Sequence, residues 1–247
     1  MSKKLMKNYT PSNKDTKINT NKRNLLRYER KFILDDISIN TLSDLMGYIP
    51  INFYEKYSER LINSIYYDND QYQLACESIN GNYKKRKIRI RYYGPTDILE
   101  LPKLEIKTKY GVVGKKDILN INKNELLKNN FSLNHIEIFQ NKYNKNNFFE
   151  NLKAKLLVSY KRKYFISSCN RFRFTLDNEI NFKIFDDFNI KESLLNKRTY
   201  KFNKNILELK YSVKDESYAS NICQKLQLRL TSFSKYVIGL KIFGLIS

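Results

Sequence analysis

One stretch of alternating basic and apolar residues constrains the fold more than any other. Residues 87–93 read KIRIRYY and are followed by a Gly-Pro turn signal. Because side chains alternate between the two faces of a β-strand, Lys87, Arg89 and Arg91 share one face and the apolar side chains share the other. The apolar face predicts burial in a core. Like charges on one face repel one another and are costly to bury unpaired, so this face lies in water or meets a strongly anionic partner.

The charge of the whole chain favours the second alternative. The 247 residues include 46 Lys+Arg against 25 Asp+Glu, a formal net charge of +21. An excess this large indicates a partner such as nucleic acid, an acidic membrane surface or a phosphate-rich small molecule. A bias towards Lys, Asn, Ile and Tyr, typical of AT-rich genomes, explains surface lysines but not arginines spaced two residues apart.

Several common kinds of site are excluded or disfavoured. Cys76, Cys169 and Cys223 are isolated, which favours a reducing compartment and predicts a cytoplasmic protein. The single histidine, His135, argues against a His-rich zinc site or a Ser-His-Asp triad. Residues 111–116 contain only a fragment of a phosphate-binding P-loop, and no Rossmann fingerprint occurs. No apolar run reaches the roughly 20 residues that span a bilayer, so no membrane span is predicted.

The rest of the chain is typical of a strand-rich domain with a few helices. Residues 1–24 predict a disordered basic tail, and residues 25–247 a single domain. Strands are predicted over residues 28–34, 61–67, 72–75, 87–93, 104–110, 156–166, 171–176, 180–185 and 206–211. Helices are predicted over 36–48, in pieces over 122–151, over 217–230 with Asp215 as its cap, and as a last helix or turn over 234–243. Turns are predicted at Gly111–Gly114 and at Asp177-Asn178.

The charged alternation recurs on several of these strands. Glutamate and lysine stand two residues apart in three pairs, Glu29–Lys31, Glu105–Lys107 and Glu208–Lys210. Two further pairs place arginines at the same spacing, Tyr160–Arg162 and Arg171–Arg173. If the strands are antiparallel neighbours in a curled sheet, their charged faces form a basic interior suited to phosphates and a divalent cation. In the alternative interpretation, each Glu-x-Lys pair is an ordinary surface ion pair worth under about 1 kcal/mol.

Taken in order, these segments resemble the VTC domain, the polyphosphate polymerase branch of the triphosphate tunnel metalloenzymes. No single segment is specific, but the ordered set is, and it covers residues 27–240. The matching segments are YERKF at 28–32, IYYD at 65–68, KIRIRYYG at 87–94, LEIKT at 104–108, YKRKYF at 160–165, RFTLD at 173–177, LELK at 207–210 and SFSKY at 232–236.

The resemblance implies an α+β fold, an eight-stranded antiparallel β tunnel with helices packed outside. It implies that the nucleotide triphosphate and the growing chain are gripped by Arg89, Arg91, Lys107, Arg162, Arg173 and Lys31. It implies further phosphate contacts from Tyr160, Ser234, Lys235 and a lysine that is either Lys115 or Lys116. It also implies that Glu208 holds the metal ion, Mn²⁺ or Mg²⁺.

One departure from the family pattern lies before the basic strand. Relatives tend to carry a basic residue where residues 76–81 here read CESING, with Ser78 at the corresponding place. One phosphate contact is therefore lost or is replaced by Lys84 or Lys85, which leaves chain length and turnover open.

The resemblance implies an enzyme that transfers the terminal phosphoryl group of ATP onto a polyphosphate chain. Two alternatives remain open, a triphosphatase that transfers the group to water and a non-catalytic module that binds polyphosphate or another polyanion. Nucleic acid is not expected as a partner, because no aromatic stacking signature of an RNA-binding sheet is present. The acceptor, the preferred metal, the oligomeric state and a membrane partner also stay open.

Overall fold

The computed structural model describes residues 27–35, 46–47, 49–111, 113–133, 151–185 and 199–247. The predicted tail, most of the helix predicted over 36–48, residues 134–150 of the next predicted helical region, and His135 lie outside the described residues. Among the helices that are described, none is long and apolar enough to cross a membrane.

The described residues form one antiparallel sheet with four α-helices. The strands are β1 (Arg27–Asp35), β2 (Phe53–Asp68), β3 (Lys84–Tyr93), β4 (Glu100–Tyr110), β5 (Val113–Asn120), β6 (Lys153–Ser167), β7 (Arg173–Ile184), β8 (Tyr200–Phe202) and β9 (Lys204–Ser212). The helices are α1 (Gln73–Ile79), α2 (Lys123–Lys128), α3 (Glu216–Leu226) and α4 (Lys235–Ile242). The sheet runs β1-β9-β7-β6-β2-β3-β4-β5, with β8 paired to β7. This order confirms the predicted antiparallel sheet with eight strands along its main path.

The alternation predicted for β3 separates two faces of the sheet. Ile88, Ile90 and Tyr92 are fully buried in an outer core that also takes in α2. A second outer core lies where α3 packs on β1, β9 and β7 through apolar side chains such as Ile222 and Leu226. The charged side chains of β3 therefore point to the opposite, inner face.

The sheet curls so that its two ends approach each other across this inner face. The Lys107 Nζ on β4 lies 3.3 Å from a carboxylate oxygen of Glu29 on β1. In the sheet order, β9, β7, β6, β2 and β3 lie between those two strands. A side-chain contact between such distant strands requires a curled sheet that encloses an interior, as the charge pattern predicts.

Helix α4 lies on the inner face, whereas α2 and α3 pack outside. Its Tyr236 ring stacks on Tyr66 of β2, with 5.0 Å between ring centres. Gly239 permits the close approach, since a Cβ there would lie 2.5 Å from Leu156 Cδ2 and 2.8 Å from a ring carbon of Phe182. The helix fills part of the interior with apolar side chains and leaves the remaining inner face to charged ones.

The strand predicted over residues 72–75 is wrong, because this segment begins α1. Asp68 at the end of β2 explains the difference. Its two carboxylate oxygens accept hydrogen bonds from the backbone N–H groups of Leu74 at 2.9 Å and Ala75 at 3.0 Å. A buried carboxylate that accepts the first free N–H groups of a segment favours a helix there.

Other predicted elements differ in extent. The residues predicted as a turn at Gly111–Gly114 lead directly into β5, which pairs with β4 along its whole length. The turn predicted at Asp177-Asn178 lies inside β7, next to a register shift between β7 and β6. The helix predicted over 217–230 ends at Leu226, where Gln227 adopts φ 51°. The last segment is confirmed as a helix, α4.

Candidate active site

The basic residues of β3 meet a buried carboxylate of the neighbouring strand. The Arg89 guanidinium lies 2.7 Å from Glu105, and Arg91 lies 3.7 Å from the same side chain. From β5, Lys116 approaches Glu105 to 2.6 Å. Burial alone would raise the pKa of Glu105, but the three cations outweigh it and lower this pKa to about 2. Glu105 therefore stays ionised and holds three cations in one place.

A second buried carboxylate, Asp177 of β7, holds cations from two other elements. Arg162 of β6 forms a bidentate ion pair with it, and Lys235, the first residue of α4, donates to the same carboxylate. The Asp177 side chain is 1% exposed. Burial would raise its pKa, but Arg162 and Lys235 lower it to about 2. The start of α4 is thereby tied to the sheet at the point where the charged interior begins.

Tyr160 connects these two groups of charges. Its hydroxyl lies 3.4 Å from an Arg91 nitrogen, and the Lys235 ammonium lies 4.6 Å from its ring centre. Burial would raise the pKa of Tyr160, but Arg162 and Arg91 lower it to about 8. The hydroxyl is thus an acidic donor, well suited to a hydrogen bond with an anion.

A third group joins β1 and β9 around Glu208. The Lys210 ammonium lies 3.3 Å from one Glu208 oxygen, and an Arg162 nitrogen lies 4.0 Å from the other. Burial raises the pKa of Glu208, but Lys210, Lys31 and other nearby cations outweigh it and hold this pKa well below its usual value. Burial and the charge of Glu208 both raise the pKa of Glu29, but nearby lysines leave it lowered as well. The two carboxylates are close enough for their charges to act on each other.

Lys87 and Lys31 reach the loop before α4. The Lys87 ammonium donates to Ser234 Oγ at 2.9 Å, and the Lys31 ammonium donates to the Phe233 carbonyl at 3.1 Å. Ser234 Oγ also accepts from the Val237 backbone N–H at 3.5 Å and caps α4. Burial and then the charges of Lys31 and other nearby cations lower the pKa of Lys87 to about 7. Around neutral pH the protonated and neutral forms of Lys87 are therefore both populated.

The carboxylates fit a divalent ion whose coordination is completed by phosphate oxygens of the substrate and by water. Within the described part of the chain, no group of three or more His, Cys, Asp or Glu side chains could hold a metal by itself. Mg²⁺ sites of phosphoryl-transfer enzymes, however, use one or two carboxylates together with substrate phosphates and water. Glu208 and Glu29 provide such a pair. Thr175 faces Glu208 in the strand register, and its hydroxyl is buried without a hydrogen-bond partner among the described residues.

The structure brings together most of the residues proposed from the resemblance. Arg89, Arg91 and Lys116 share the Glu105 carboxylate, and Arg162 and Lys235 share that of Asp177. Tyr160 contacts Arg91, Arg162 also approaches Glu208, and Lys107 pairs with Glu29. At the start of α4, Lys31 contacts Phe233 and Ser234 contacts Lys87. Arg173 is the first residue of β7, where it is exposed and stands opposite Lys210 in the register. Lys115 points away from the interior: its side chain is 65% exposed and pairs with Asp117 at 3.4 Å.

The resemblance missed several members of the site. Lys87 stands in the basic strand and Lys210 in one of the Glu-x-Lys pairs, but the resemblance implies no role for either residue. Asp177 was interpreted as a turn residue, and only its long-range ion pairs reveal its place. Arg171, grouped with Arg173 by spacing, lies outside β7 and pairs with Asp215 at 2.9 Å. Asp215 does occupy the cap position of α3, but its side chain makes no capping hydrogen bond.

The departure at Ser78 has a local structural basis. Ser78 lies in α1, where its hydroxyl donates to the Leu74 carbonyl at 3.3 Å. Of the two proposed replacements, Lys85 shares the inner face of β3 and stands opposite Lys109, whereas the Lys84 ammonium lies 6.0 Å from the ring centre of Tyr110. Lys85 is therefore the better placed of the two.

Comparisons with known proteins bear on the family and on the fold. The family model described as the VTC domain matches residues 26–243. Among curated protein sequences, none matches the chain. A proposed adenylate cyclase from Bacillus halodurans has a similar structure at 15% identity and TM-score 0.53, covering 87% of this chain and 95% of that one. A proposed adenylate cyclase from Vibrio parahaemolyticus aligns at 13% identity and TM-score 0.49, covering 87% and 98%.

Proposed function

The chain belongs to the VTC domain family, and from that premise we propose that it is a metal-dependent polyphosphate polymerase. In this proposal the bond to the terminal phosphoryl group of ATP breaks in the basic interior, the group is bonded to the end of a polyphosphate chain, and ADP leaves. One observation carries the proposal: cations from strands far apart in the sheet converge on a single enclosed face, where carboxylates are fewer. Such an interior suits a ligand that carries several negative charges along its length.

The cations supply what phosphoryl transfer requires. The reaction depends on in-line positioning and on neutralising the charge of the transferred group. Arg89, Arg91 and Arg162 present planar guanidinium groups that match phosphate oxygens in a bidentate manner. The acceptor end is already a phosphate oxyanion, so no side chain has to remove a proton from it. The chemistry therefore needs a rigid set of donors rather than a nucleophilic residue.

The carboxylates keep these donors in place before the substrate arrives. Glu105 and Asp177 each hold two or more cations, which limits the side-chain rearrangement needed on binding. The Nε of Arg91 is buried and has no hydrogen-bond partner among the described residues. A buried donor without a partner is costly. A hydrogen bond from it to a phosphate oxygen therefore contributes more binding free energy than the same bond at the surface.

The metal is assigned to Glu208 together with Glu29. When bound, Mn²⁺ or Mg²⁺ would supply charge neutralisation on the phosphate oxygens. Glu208 is held ionised by Lys210 and Arg162, so it is ready to act as a ligand near neutral pH. Thr175 adds a hydroxyl beside it.

We place the reaction in the cytoplasm. Cys76, Cys169 and Cys223 are all free thiols, which is usual in a reducing compartment. The proposed partners are ATP and polyphosphate, and nucleic acid is not among them. A membrane partner that draws off the product stays open.

The test is an incubation of the purified protein with ATP and Mn²⁺, followed by separation of the products on a gel. We expect polyphosphate chains that lengthen with time and disappear when the metal is removed. Release of orthophosphate without chains would show a triphosphatase instead. Tight binding of tripolyphosphate with no turnover under any divalent metal would show a polyanion-binding module.

A further inference from the structure

An aromatic and cationic cluster lies on β2 and β6 beside the charged interior. We name it the mouth cluster; it consists of Tyr57, Arg60 and Tyr164. The two tyrosine rings meet edge to face with 5.8 Å between their centres. The Arg60 guanidinium lies 4.9 Å from the Tyr57 ring centre and 5.7 Å from that of Tyr164.

The strand register joins the mouth cluster to the proposed phosphate site. Arg60 stands directly opposite Arg162, and Tyr57 stands opposite Tyr164. Tyr164 also alternates with Tyr160 and Arg162 along β6, so it shares their inner face. Burial raises the pKa of Tyr164, while the charges of Arg162 and Arg91 act to lower it. A ligand that lies along the interior can therefore extend from these arginines onto the cluster.

The exposure of the cluster distinguishes it from the core. Tyr57 is 46% exposed, and Arg60 is also exposed, whereas the tyrosines of the interior such as Tyr66 and Tyr160 are buried. An edge-to-face pair contributes only about 0.5–1.5 kcal/mol beyond its buried area. Packing alone gives little reason for a large aromatic ring at this position, and its open face is available to a planar ligand.

We propose that the mouth cluster binds the base of the nucleoside triphosphate, and this inference rests on the proposed function. The base stacks on the Tyr57 ring and the Arg60 guanidinium, while the phosphates extend inward to Arg162 and Arg91. Aromatic rings and guanidinium planes stack on any base, because every base has a π-face. The cluster therefore adds affinity for a nucleoside triphosphate that a bare triphosphate cannot gain, and it discriminates little between adenine and guanine.

The experiment is calorimetric titration of ATP, GTP and tripolyphosphate into the purified chain and into the Tyr57→Ala variant. Stacking on one aromatic ring corresponds to a change of about fivefold or more in affinity. We expect Tyr57→Ala to weaken ATP and GTP binding by at least about that factor and to leave tripolyphosphate binding unchanged. Tyr57→Phe, which keeps the ring, should bind all three like the parent chain.

Matched controls test the assignment of the cluster. Tyr54 on the same strand is 51% exposed, so Tyr54→Ala removes an equally open ring and should leave all three affinities unchanged. Arg60→Ala should also weaken ATP binding, as Tyr57→Ala does. Because Arg60→Ala removes no aromatic ring, it tests the cluster independently. Equal affinities of the parent chain and of Tyr57→Ala for ATP would overturn the inference.

A second exposed pair provides the rival position for the base. Tyr83 precedes β3 and Tyr110 ends β4, with 6.2 Å between their ring centres. If Tyr110→Ala weakens ATP binding but Tyr57→Ala does not, the base lies at the Tyr83–Tyr110 pair and the inference is wrong. If the parent chain binds none of the three ligands, both the inference and the proposed function are overturned.

Discussion

Binding of triphosphate should increase the protonated fraction of Lys87. This side chain points into the interior, donates to Ser234 Oγ at 2.9 Å, and has a pKa lowered to about 7 by burial and by the charges of Lys31 and other nearby cations. An anion bound beside it favours the charged ammonium and raises its pKa again. The free site lowers the pKa of Lys87 and a bound anion raises it, so ligand binding is accompanied by proton uptake.

The size of the effect follows from the pKa of the free site. At pH 7.5 a lysine of pKa about 7 carries about 0.25 proton, so a ligand that restores the ordinary pKa of about 10.4 takes up about 0.75 proton. From pH 6 to pH 7.5 the same linkage weakens binding about fourfold. Stability without ligand has the opposite sign, because the unfolded chain binds more protons than the folded chain between about pH 7 and 10.4. In that window the contribution of Lys87 to stability rises with pH.

Calorimetry in buffers of different ionisation enthalpy measures this uptake directly. Tripolyphosphate is titrated at pH 7.5 into the parent chain and into Lys87→Arg, whose guanidinium stays charged. Protonation of the ligand and of Tyr160 is common to both proteins and cancels in the difference. We expect the parent chain to take up about 0.75 proton more per ligand than the variant. Equal uptake by the two proteins would refute the assignment of Lys87 to the ligand site.

Four further substitutions and one control variant test separate parts of the account. Arg89→Ala and Arg91→Ala should each abolish turnover with little change in melting temperature, whereas Lys115→Ala, on a 65% exposed side chain, should keep parental activity in the same assay. Glu208→Gln should lower turnover and be rescued poorly by excess Mn²⁺ in a metal titration; full rescue would argue against a metal ligand. Gly239→Ala places a Cβ 2.5 Å from a leucine methyl, so chemical denaturation should show a loss of about 1–3 kcal/mol.

Local alternation made the basic faces predictable from the sequence. Ile88, Ile90 and Tyr92 are buried as expected, and Arg89 and Arg91 occupy the opposite face. The period of two in a strand is a local property, so it can be recognised without knowledge of the partner strands. The same logic identified the strands that carry Glu105, Glu208 and Arg162 as contributors to one surface.

Contacts between segments distant in the chain could not be predicted from local sequence patterns. The segment after Asp68 was predicted as a strand, yet the Asp68 carboxylate accepts two backbone hydrogen bonds there and a helix begins. In isolation Asp177 is typical of a turn. In the structure it is buried and pairs with Arg162 and Lys235, which stand 15 and 58 residues away. The position of α4 on the inner face also depends on contacts that no local pattern encodes.

The central claim is that the curled inner face is a site for triphosphate, and a thermal melt tests it most directly. The purified chain is heated with tripolyphosphate, with sodium chloride at matched ionic strength, and with a short single-stranded RNA. A ligand that binds only the folded chain stabilises it by about 2.7 kcal/mol at a hundredfold excess over its Kd. We predict a clear rise in melting temperature with tripolyphosphate and a much smaller one with chloride or RNA. Equal stabilisation by RNA and tripolyphosphate would contradict an enclosed triphosphate site.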